Sequence, residues 1–281
     1  MNANAENFKF VCDLVHRRAA ILIETGKEYL VDARLAPIAR AHGLASVDAL
    51  VAKLRADEKG PLSHEVIEAM TTNETSFFRD IHPFDTLRTK VLPPLIRARG
   101  ATRSLRIWCA AASTGQEPYS IAMTIREHFP ELATWNVQII ATDINATVLA
   151  RARTGIFRQL EVNRGLPATL LVKHFDKIGA DWQIKANIRQ MISFQELNLL
   201  ERWPLFTQQD VIFMRNVLIY FDMPTKRDLL RRVRESMRED GYFFLGGAET
   251  TMGIDNQLVS MKSSNASMVY QHARAAALAT G

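Results

Sequence analysis

Apolar residues recur at three- and four-residue spacing through the first seventy positions, the period of helices with one buried face. Helices are predicted over Phe8–Val15, Tyr29–Arg40, Ser46–Leu54 and Ser63–Met70, with Ser46 and Ser63 as N-cap residues. After the polar run Thr71–Asp80 and a helix over His82–Arg99, the pattern changes to short β-rich runs alternating with helices. Strands are predicted at Ser104–Ala110, Trp135–Ile144, Met191–Phe194, Asp210–Asn216, Gly241–Glu249 and Met268–Tyr270. Helices follow at Tyr119–His128, at Ala146–Thr154 with Gly155 closing it, and from Asp222 and Pro224 to Gly241. Trp182–Lys185 and Asn187–Phe194, after a Gly179-Ala-Asp turn, interrupt the alternation as short antiparallel strands. Ala273–Gly281 reads as a tail without chemistry. The pattern predicts a small all-α N-terminal domain, then an α/β sheet with an antiparallel insertion.

The stretch from Ser104 to Met123 carries the chemistry. Leu105, Ile107 and Cys109 alternate with Arg106, Trp108 and Ala110, and the strand runs into the small residues Ala110–Gly115. Pro118 fits the first turn of the following helix. Strand, small-residue turn and helix is the layout of a nucleotide-type cofactor site. Neither G-x-G-x-x-G nor a Gly-Lys-Ser/Thr P-loop is present. A turn with one glycine, followed by Glu117, suits a cationic or hydroxyl-bearing ligand without phosphates, such as S-adenosylmethionine; it also suits an ordinary buried turn. Asp143 ends the second strand, where a carboxylate can accept from both ribose hydroxyls or cap the next helix.

Composition narrows the setting. The chain has 281 residues, 47% hydrophobic and 23% charged, enough for more than one domain. Its two cysteines, Cys12 and Cys109, form no disulfide framework or metal-ligand spacing. Met1–Phe10 lacks an apolar signal core and no run reaches membrane-span length, so a cytoplasmic protein without membrane insertion is expected. The net charge of +5 is concentrated in Arg151–Arg189, with eight Lys/Arg against three acids. That excess fits either an acidic partner or a solvated face.

Several motifs, in order, resemble the CheR-type chemotaxis receptor methyltransferases. They are Thr72-Asn-Glu-Thr-Ser-Phe-Phe-Arg79, Ala110-Ala-Ala-Ser-Thr-Gly-Gln-Glu-Pro-Tyr-Ser120 and Ala141-Thr-Asp-Ile144. Asn163-Arg-Gly-Leu-Pro167, Asn198-Leu-Leu200 and Arg215-Asn-Val-Leu-Ile-Tyr-Phe-Asp222 follow, and the resemblance extends to about Tyr270. It implies a class I, Rossmann-like methyltransferase sheet with a small antiparallel β-subdomain, preceded by an all-α domain. The implied division is 1–70 for the helical domain, 71–100 for a linker and lead-in helix, and 101–281 for the methyltransferase domain, with the β-subdomain at about 173–190. The implied cofactor is S-adenosylmethionine, held by Asn73, Thr75, Arg79, Glu117, Asp143, Asn198, Leu199, Asn216 and Val217. Gln116 replaces a second acid usual in the family, and Gly246-Gly-Ala-Glu249 replaces a frequent Gly-His-Ser-Glu.

The implied reaction is methyl transfer to receptor glutamates. A free glutamate, with a pKa of about 4.3, is already a nucleophile at neutral pH, so the enzyme has only to position it. Arg79 and Tyr220 are the catalytic residues expected beside that carboxylate. The alternatives are a domain-bridging ion pair for Arg79 and core packing for Tyr220. The implied partners are the cytoplasmic methylation helices of chemotaxis receptors, met by a monomer and not by way of nucleic acid. A nucleic-acid methylase would carry a proline pair where Arg215-Asn-Val-Leu stands, and a silent scaffold would not need the acids and Arg79. Local basic patches such as Arg34 and Arg40 are expected to steer the acidic receptor. Some members of the family grip a C-terminal receptor pentapeptide with a long loop in the β-subdomain. The short connection Ile178–Trp182 here predicts no requirement for that tether.

Overall fold

The computed structural model describes residues 5–203, 208–261 and 268–278. Four helices come first: α1 (Ala5–Ala19), α2 (Glu28–Ala41), α3 (Val47–Ala56) and α4 (Pro61–Met70). Their apolar stripes close a core of their own around Leu14, Val15, Val31, Leu35, Leu50, Leu54 and Val66. Ser46 caps α3 by accepting from Ala49 N–H at 3.1 Å. Ser63 does not open α4. Gly60 holds the cap position and Pro61 the first turn, where its fixed φ is already helical, so Ser63 lies buried inside the helix.

The lead-in helix comes in three parts: α5 (His82–Thr86), a π-helical stretch Leu87–Val91, and α6 (Leu92–Ala98). Pro93 and Pro94 cannot donate to the preceding turn and would crowd its carbonyls. The wider turn ahead of them relieves this, with Leu92 N–H reaching back to Leu87 O.

Then come β1 (Ser104–Ala110), α7 (Gln116–His128), β2 (Asn136–Asp143), α8 (Ala146–Thr154), β3 (Ile156–Arg158), α9 (Gln159–Val162), α10 (Ala168–His174), β4 (Phe175–Ile178) and β5 (Asp181–Ile184). They are followed by α11 (Ala186–Arg189), β6 (Ile192–Glu196), β7 (Gln209–Phe213), α12 (Met223–Ser236), β8 (Met237–Phe244), β9 (Leu258–Ser260), β10 (Val269–His272) and α13 (Ala273–Leu278). The main sheet has the order β6-β2-β1-β7-β8-β10-β9. Its strands are parallel from β6 to β8, and β10 runs antiparallel to both its neighbours. A parallel sheet must be covered on both faces. Leu105, Ile107 and Cys109 enter one core cluster, while Trp108 and Ala110 enter the other with Leu229, Leu230 and Val233 of α12. The strand order reverses at β1, between β2 and β7, so a crevice opens at the carboxyl ends of these strands.

Three features differ from the sequence reading. Asn187–Phe194 does not form a subdomain strand: α11 turns the chain first, and only Ile192–Glu196 is extended, in the main sheet. The small sheet, ordered β3-β5-β4, instead recruits Ile156–Arg158, so it begins well before residue 173. Gly241 does not end α12, which stops at Ser236. It lies inside β8 at a register shift against β7, where a Cβ would fall 2.6 Å from the Met237 side chain. In the tail, Ala273–Leu278 is helical, and residues 279–281 lie outside the described residues.

The N-terminal helices meet the sheet domain through polar bridges that frame the crevice. The Glu68 carboxylate, on α4, accepts from Ala146 N–H at 2.7 Å and Thr147 Oγ1 at 2.9 Å, so an acid from one domain caps α8 of the other. Asn145 caps α8 itself and donates to Glu68 O and Thr71 Oγ1, both at 3.2 Å. Arg34 donates to Met70 O at 2.7 Å and Thr71 O at 2.9 Å. Arg34 is therefore a clamp on the linker rather than part of a free patch. It also stands about 120° around α2 from exposed Arg40, since six residues advance a helix by about 600°. On the far side, Leu22 N–H donates to Tyr220 O at 3.0 Å and Asn198 Nδ2 to Arg18 O at 2.7 Å.

The amino edge of the sheet is held by charge. Asp210, 1% exposed at its side chain, accepts from Arg99 Nε at 2.7 Å and Arg106 N–H at 2.8 Å, and it forms an ion pair with Arg238 Nε at 3.2 Å. Arg99 also forks onto Asp240. Asp210→Ala removes the acceptor of the largely buried Arg99 Nε and of the Arg106 amide and should destabilise the protein by about 3 kcal/mol, read as a lowered urea midpoint. Glu68→Ala removes the cap that α4 lends to α8. It should cost about 1 kcal/mol in the same measurement and speed tryptic cleavage at Arg79 in the linker.

Candidate functional site

The turn after β1 is held in a conformation that side chains usually avoid. Ala111 and Ser113 have φ of 53° and 51°, and Gly115 has φ of 94°. Left-handed backbone at non-glycine residues costs free energy and persists where the surroundings fix it. Here Ser113 N–H is held by Asp143 Oδ2 at 2.8 Å, and Ser113 Oγ donates to Asn73 O at 2.8 Å. A Cβ on Gly115 would press Ala152, Tyr119 and Phe194 at 3.1–3.3 Å, so α7 and α8 close in behind the turn.

The crevice at this turn is a cleft open to solvent, at the place in an α/β sheet where small-molecule ligands bind. Every residue singled out from the sequence lines it: Asn73, Thr75, Arg79, Glu117, Asp143, Asn198, Leu199, Asn216, Val217 and Tyr220. Ile21, Ile144, Leu197 and Phe221 add apolar wall, and Ile21 comes from the N-terminal domain. A second open cleft, lined by Thr114, Gln116, Arg151, Leu160 and Arg164, shares Asn73, Glu74 and Thr75 with the first.

Asp143 is 6% exposed and does not cap α8; Asn145 does. Its carboxylate also accepts from Asn145 N–H at 2.9 Å. Burial pushes its carboxyl above the usual carboxylate range, against the pull of these backbone amides. Glu117 opens α7 and meets Arg215 Nη1 at 2.8 Å. Burial raises its pKa as well, opposed by Arg215 and, less, by Arg79. Arg215 itself was not foreseen as part of the site. Its side chain is 1% exposed, it binds Asp80 Oδ2 at 2.7 Å, and it donates to Arg79 O at 3.1 Å. A polar Arg-Asn pair ending the buried strand Asp210–Asn216 was the signal that could have found it.

Arg79 donates to Glu74 O at 3.1 Å and, among the described residues, makes no ion pair, which leaves the domain-bridging role unfilled. Tyr220 ends a 3-10 turn, Leu218–Tyr220, and packs its ring on the second core cluster while facing the cleft. Its ring is thus part of the core packing and part of the cleft wall at once. Asn198 has its amide engaged: Nδ2 with Arg18 O, and Oδ1 with Leu200 N–H at 3.0 Å. Gln116, the departure from the usual acid, is 3% exposed and accepts from Thr114 Oγ1 at 2.7 Å.

The basic residues of Arg151–Arg189 are mostly engaged by neighbouring groups of the same chain. Arg151 pairs with Glu161, Arg164 with Glu74 and Lys173 with Glu127. Lys177 lies over the Trp182 ring at 4.6 Å, and Arg189 donates to Thr154 O. Among the described residues no group of three or more His, Cys, Asp or Glu could hold a metal ion, and no helix is long and apolar enough to cross a membrane.

The cleft, with buried Asp143 at the carboxyl end of β2, the partly exposed Glu117 just beyond β1 and no phosphate cradle, fits a cofactor that presents hydroxyl and amino groups. Comparison with known proteins gives the same answer. Residues 73–267 match the family described as CheR methyltransferase, SAM binding domain, and residues 6–71 match CheR methyltransferase, all-alpha domain. Chemotaxis protein methyltransferase Cher2 of Pseudomonas putida is 38% identical, covering 96% of this chain and 98% of the relative. Chemotaxis protein methyltransferase 1 of Pseudomonas aeruginosa is 40% identical over 89% of this chain and 92% of its own. Chemotaxis protein methyltransferase 1 of Vibrio cholerae is 35% identical over 95% and 96%. With its all-α domain, its strained turn after β1 and its paired acids in the crevice, the chain belongs to the CheR family of S-adenosylmethionine-dependent methyltransferases.

Proposed function

We propose that the chain methylates glutamate side chains in the cytoplasmic methylation helices of chemotaxis receptors, giving glutamate methyl esters. The observation that carries this reading is the convergence of Arg79, Glu117, Asp143, Asn216 and Tyr220 on one cleft at the strand-order reversal. The relatives named as chemotaxis protein methyltransferases support it. The working division is a helical domain over 1–70, a linker and lead-in helix over 71–100, and a methyltransferase domain over 101–281. The protein acts as a cytoplasmic monomer.

S-adenosylmethionine supplies, when bound, a methyl group on a cationic sulfonium. The Asp143 carboxylate, at the end of β2, is the acceptor for ribose hydroxyls, and Glu117 offsets the cofactor's positive charge. Asn73, Thr75, Leu199, Asn216 and Val217 shape the cleft around it. Asn198 contributes shape and backbone, because its amide is already bonded to Arg18 and Leu200. The substrate glutamate arrives ionised, so the chain needs no general base. Arg79 and Tyr220 orient the carboxylate for in-line attack, which is where most of the rate advantage of such a site comes from.

Asp143→Ala should weaken S-adenosylhomocysteine binding by about 1.5–3 kcal/mol, the value of a hydrogen bond to a charged group. Calorimetry that finds an unchanged affinity would remove Asp143 from the cofactor site. With receptor cytoplasmic fragments and labelled cofactor, the product should release methanol in alkali. Tyr220→Phe should lower the rate of that labelling while leaving S-adenosylhomocysteine affinity intact; a normal rate would reduce Tyr220 to core packing.

The small sheet supports the absence of a tether requirement. Lys177 and Trp182 face each other across β4 and β5, and Ile178 pairs Asp181, so only Gly179 and Ala180 form the turn. Gly179, at φ 58°, provides the positive φ that a two-residue hairpin needs. The β4 edge has no strand partner beyond β5 among the described residues, and the two-residue turn is too short to clasp a peptide. Receptors lacking their last five residues should be methylated at the full rate. Micromolar binding of a C-terminal pentapeptide, with methylation lost on truncation, would overturn this.

A further inference from the structure

Glu249 lies outside the cleft, in the loop after β8, and is 4% exposed. Its carboxylate accepts four backbone amides. Oε2 takes Gly246 N–H at 2.7 Å and Asn216 N–H at 2.8 Å. Oε1 takes Val217 N–H at 2.9 Å and Leu218 N–H at 2.7 Å. Three of the four belong to consecutive residues that leave β7 and enter the turn carrying Tyr220.

That segment would not hold its shape unaided. Asn216 sits at φ 59°, in the left-handed region that a non-glycine side chain disfavours. Buried amides without partners are costly, so the segment needs an acceptor able to serve several donors at once. An ionised carboxylate, with acceptor sites on both oxygens, can do this where a neutral amide or hydroxyl cannot. The loop is also pressed tightly against its client: a Cβ on Gly246 would fall 2.6 Å from Asn216 Nδ2 and 2.9 Å from Glu249 Oε2. The sequence motif Gly246-Gly-Ala-Glu249 thus acquires a purpose that does not involve the histidine it lacks.

We infer that Glu249 is a positioning residue for the cofactor cleft: its carboxylate fixes the backbone of Asn216–Leu218, and through it the cofactor wall at Asn216 and Val217 and the place of Tyr220. This rests on the reading of the cleft as the S-adenosylmethionine site. The residue touches neither cofactor nor substrate.

Glu249→Gln tests this, because whichever way the amide turns, its nitrogen cannot accept the two amides that the lost oxygen served. Two measurements are made on the cofactor-free chain: hydrogen exchange of the Asn216, Val217 and Leu218 amides, and calorimetric titration with S-adenosylhomocysteine. Glu249→Gln should raise the exchange rates of those amides and the Kd at least tenfold, with the far-UV spectrum unchanged. Glu249→Asp, which keeps both oxygens on a shorter arm, should restore part of the affinity and gives a folded comparison should the first variant be unstable. Unchanged affinity in a folded variant whose amides exchange faster would overturn the inference, and so would unchanged exchange. Failure of the wild-type chain to bind S-adenosylhomocysteine would instead overturn the assignment of the cleft.

Discussion

The site depends on one buried cation. Arg215 leaves the end of β7 and is sealed from water, and it reaches Glu117 at the start of α7 and Asp80 at the end of the linker. A guanidinium suits this place because its planar fork serves two acids and a carbonyl at once and keeps its charge when buried. A buried charge of this kind adds little net stability once the cost of drying it is counted. What it fixes is position. It holds the linker down on the sheet, and it supplies the counter-charge to Glu117 at the cleft wall. Burial also pushes the nearby Asp143 carboxyl above its usual range.

The second constraint is the seam between the helical domain and the sheet. Glu68, Asn145, Thr71 and Asn73 form one chain of hydrogen bonds that ends at Ser113, in the turn after β1. The N-terminal domain is thus more than a handle for a partner. Ile21 and the linker supply part of the cleft wall, so the geometry of the cleft is shared between two separately packed cores.

Much of this was legible in the chain. The alternation through Leu105–Ala110 predicted a strand, and the fold buries it on both faces, with side chains in both core clusters. The motif residues met in one cleft because each stands at the carboxyl end of a strand or in the linker that crosses those ends. The misreadings came from local signals overridden by packing. Ser63 looked like a cap, but Pro61 starts the helix earlier. Gly241 looked like a helix stop, but it serves a register shift in a strand. Asn187–Phe194 has strand-forming residues, yet its first part turns so that Ile192 can join β2. Arg34 illustrates the wider limit: charge on a sequence does not say whether the side chain faces a partner or a nearby carbonyl. Glu249 was visible within a motif, but its four amide donors come from two segments that only the fold brings together.

The topology also has a consequence for how the molecule comes into being. β1 pairs with β2 soon after it is made, but its other neighbour, β7, follows about a hundred residues later, with Ile107 opposite Val211. Contacts so distant along the chain form slowly, after the local helices have packed. Until then the centre of the sheet is a bare, apolar edge, the kind of template that recruits other chains. Arg215 arrives with β7, so neither Glu117 nor the linker has its counter-charge before that strand docks. The two halves of the β1 pairing are thus made far apart along the chain, and the helical segments of residues 5–70 precede both.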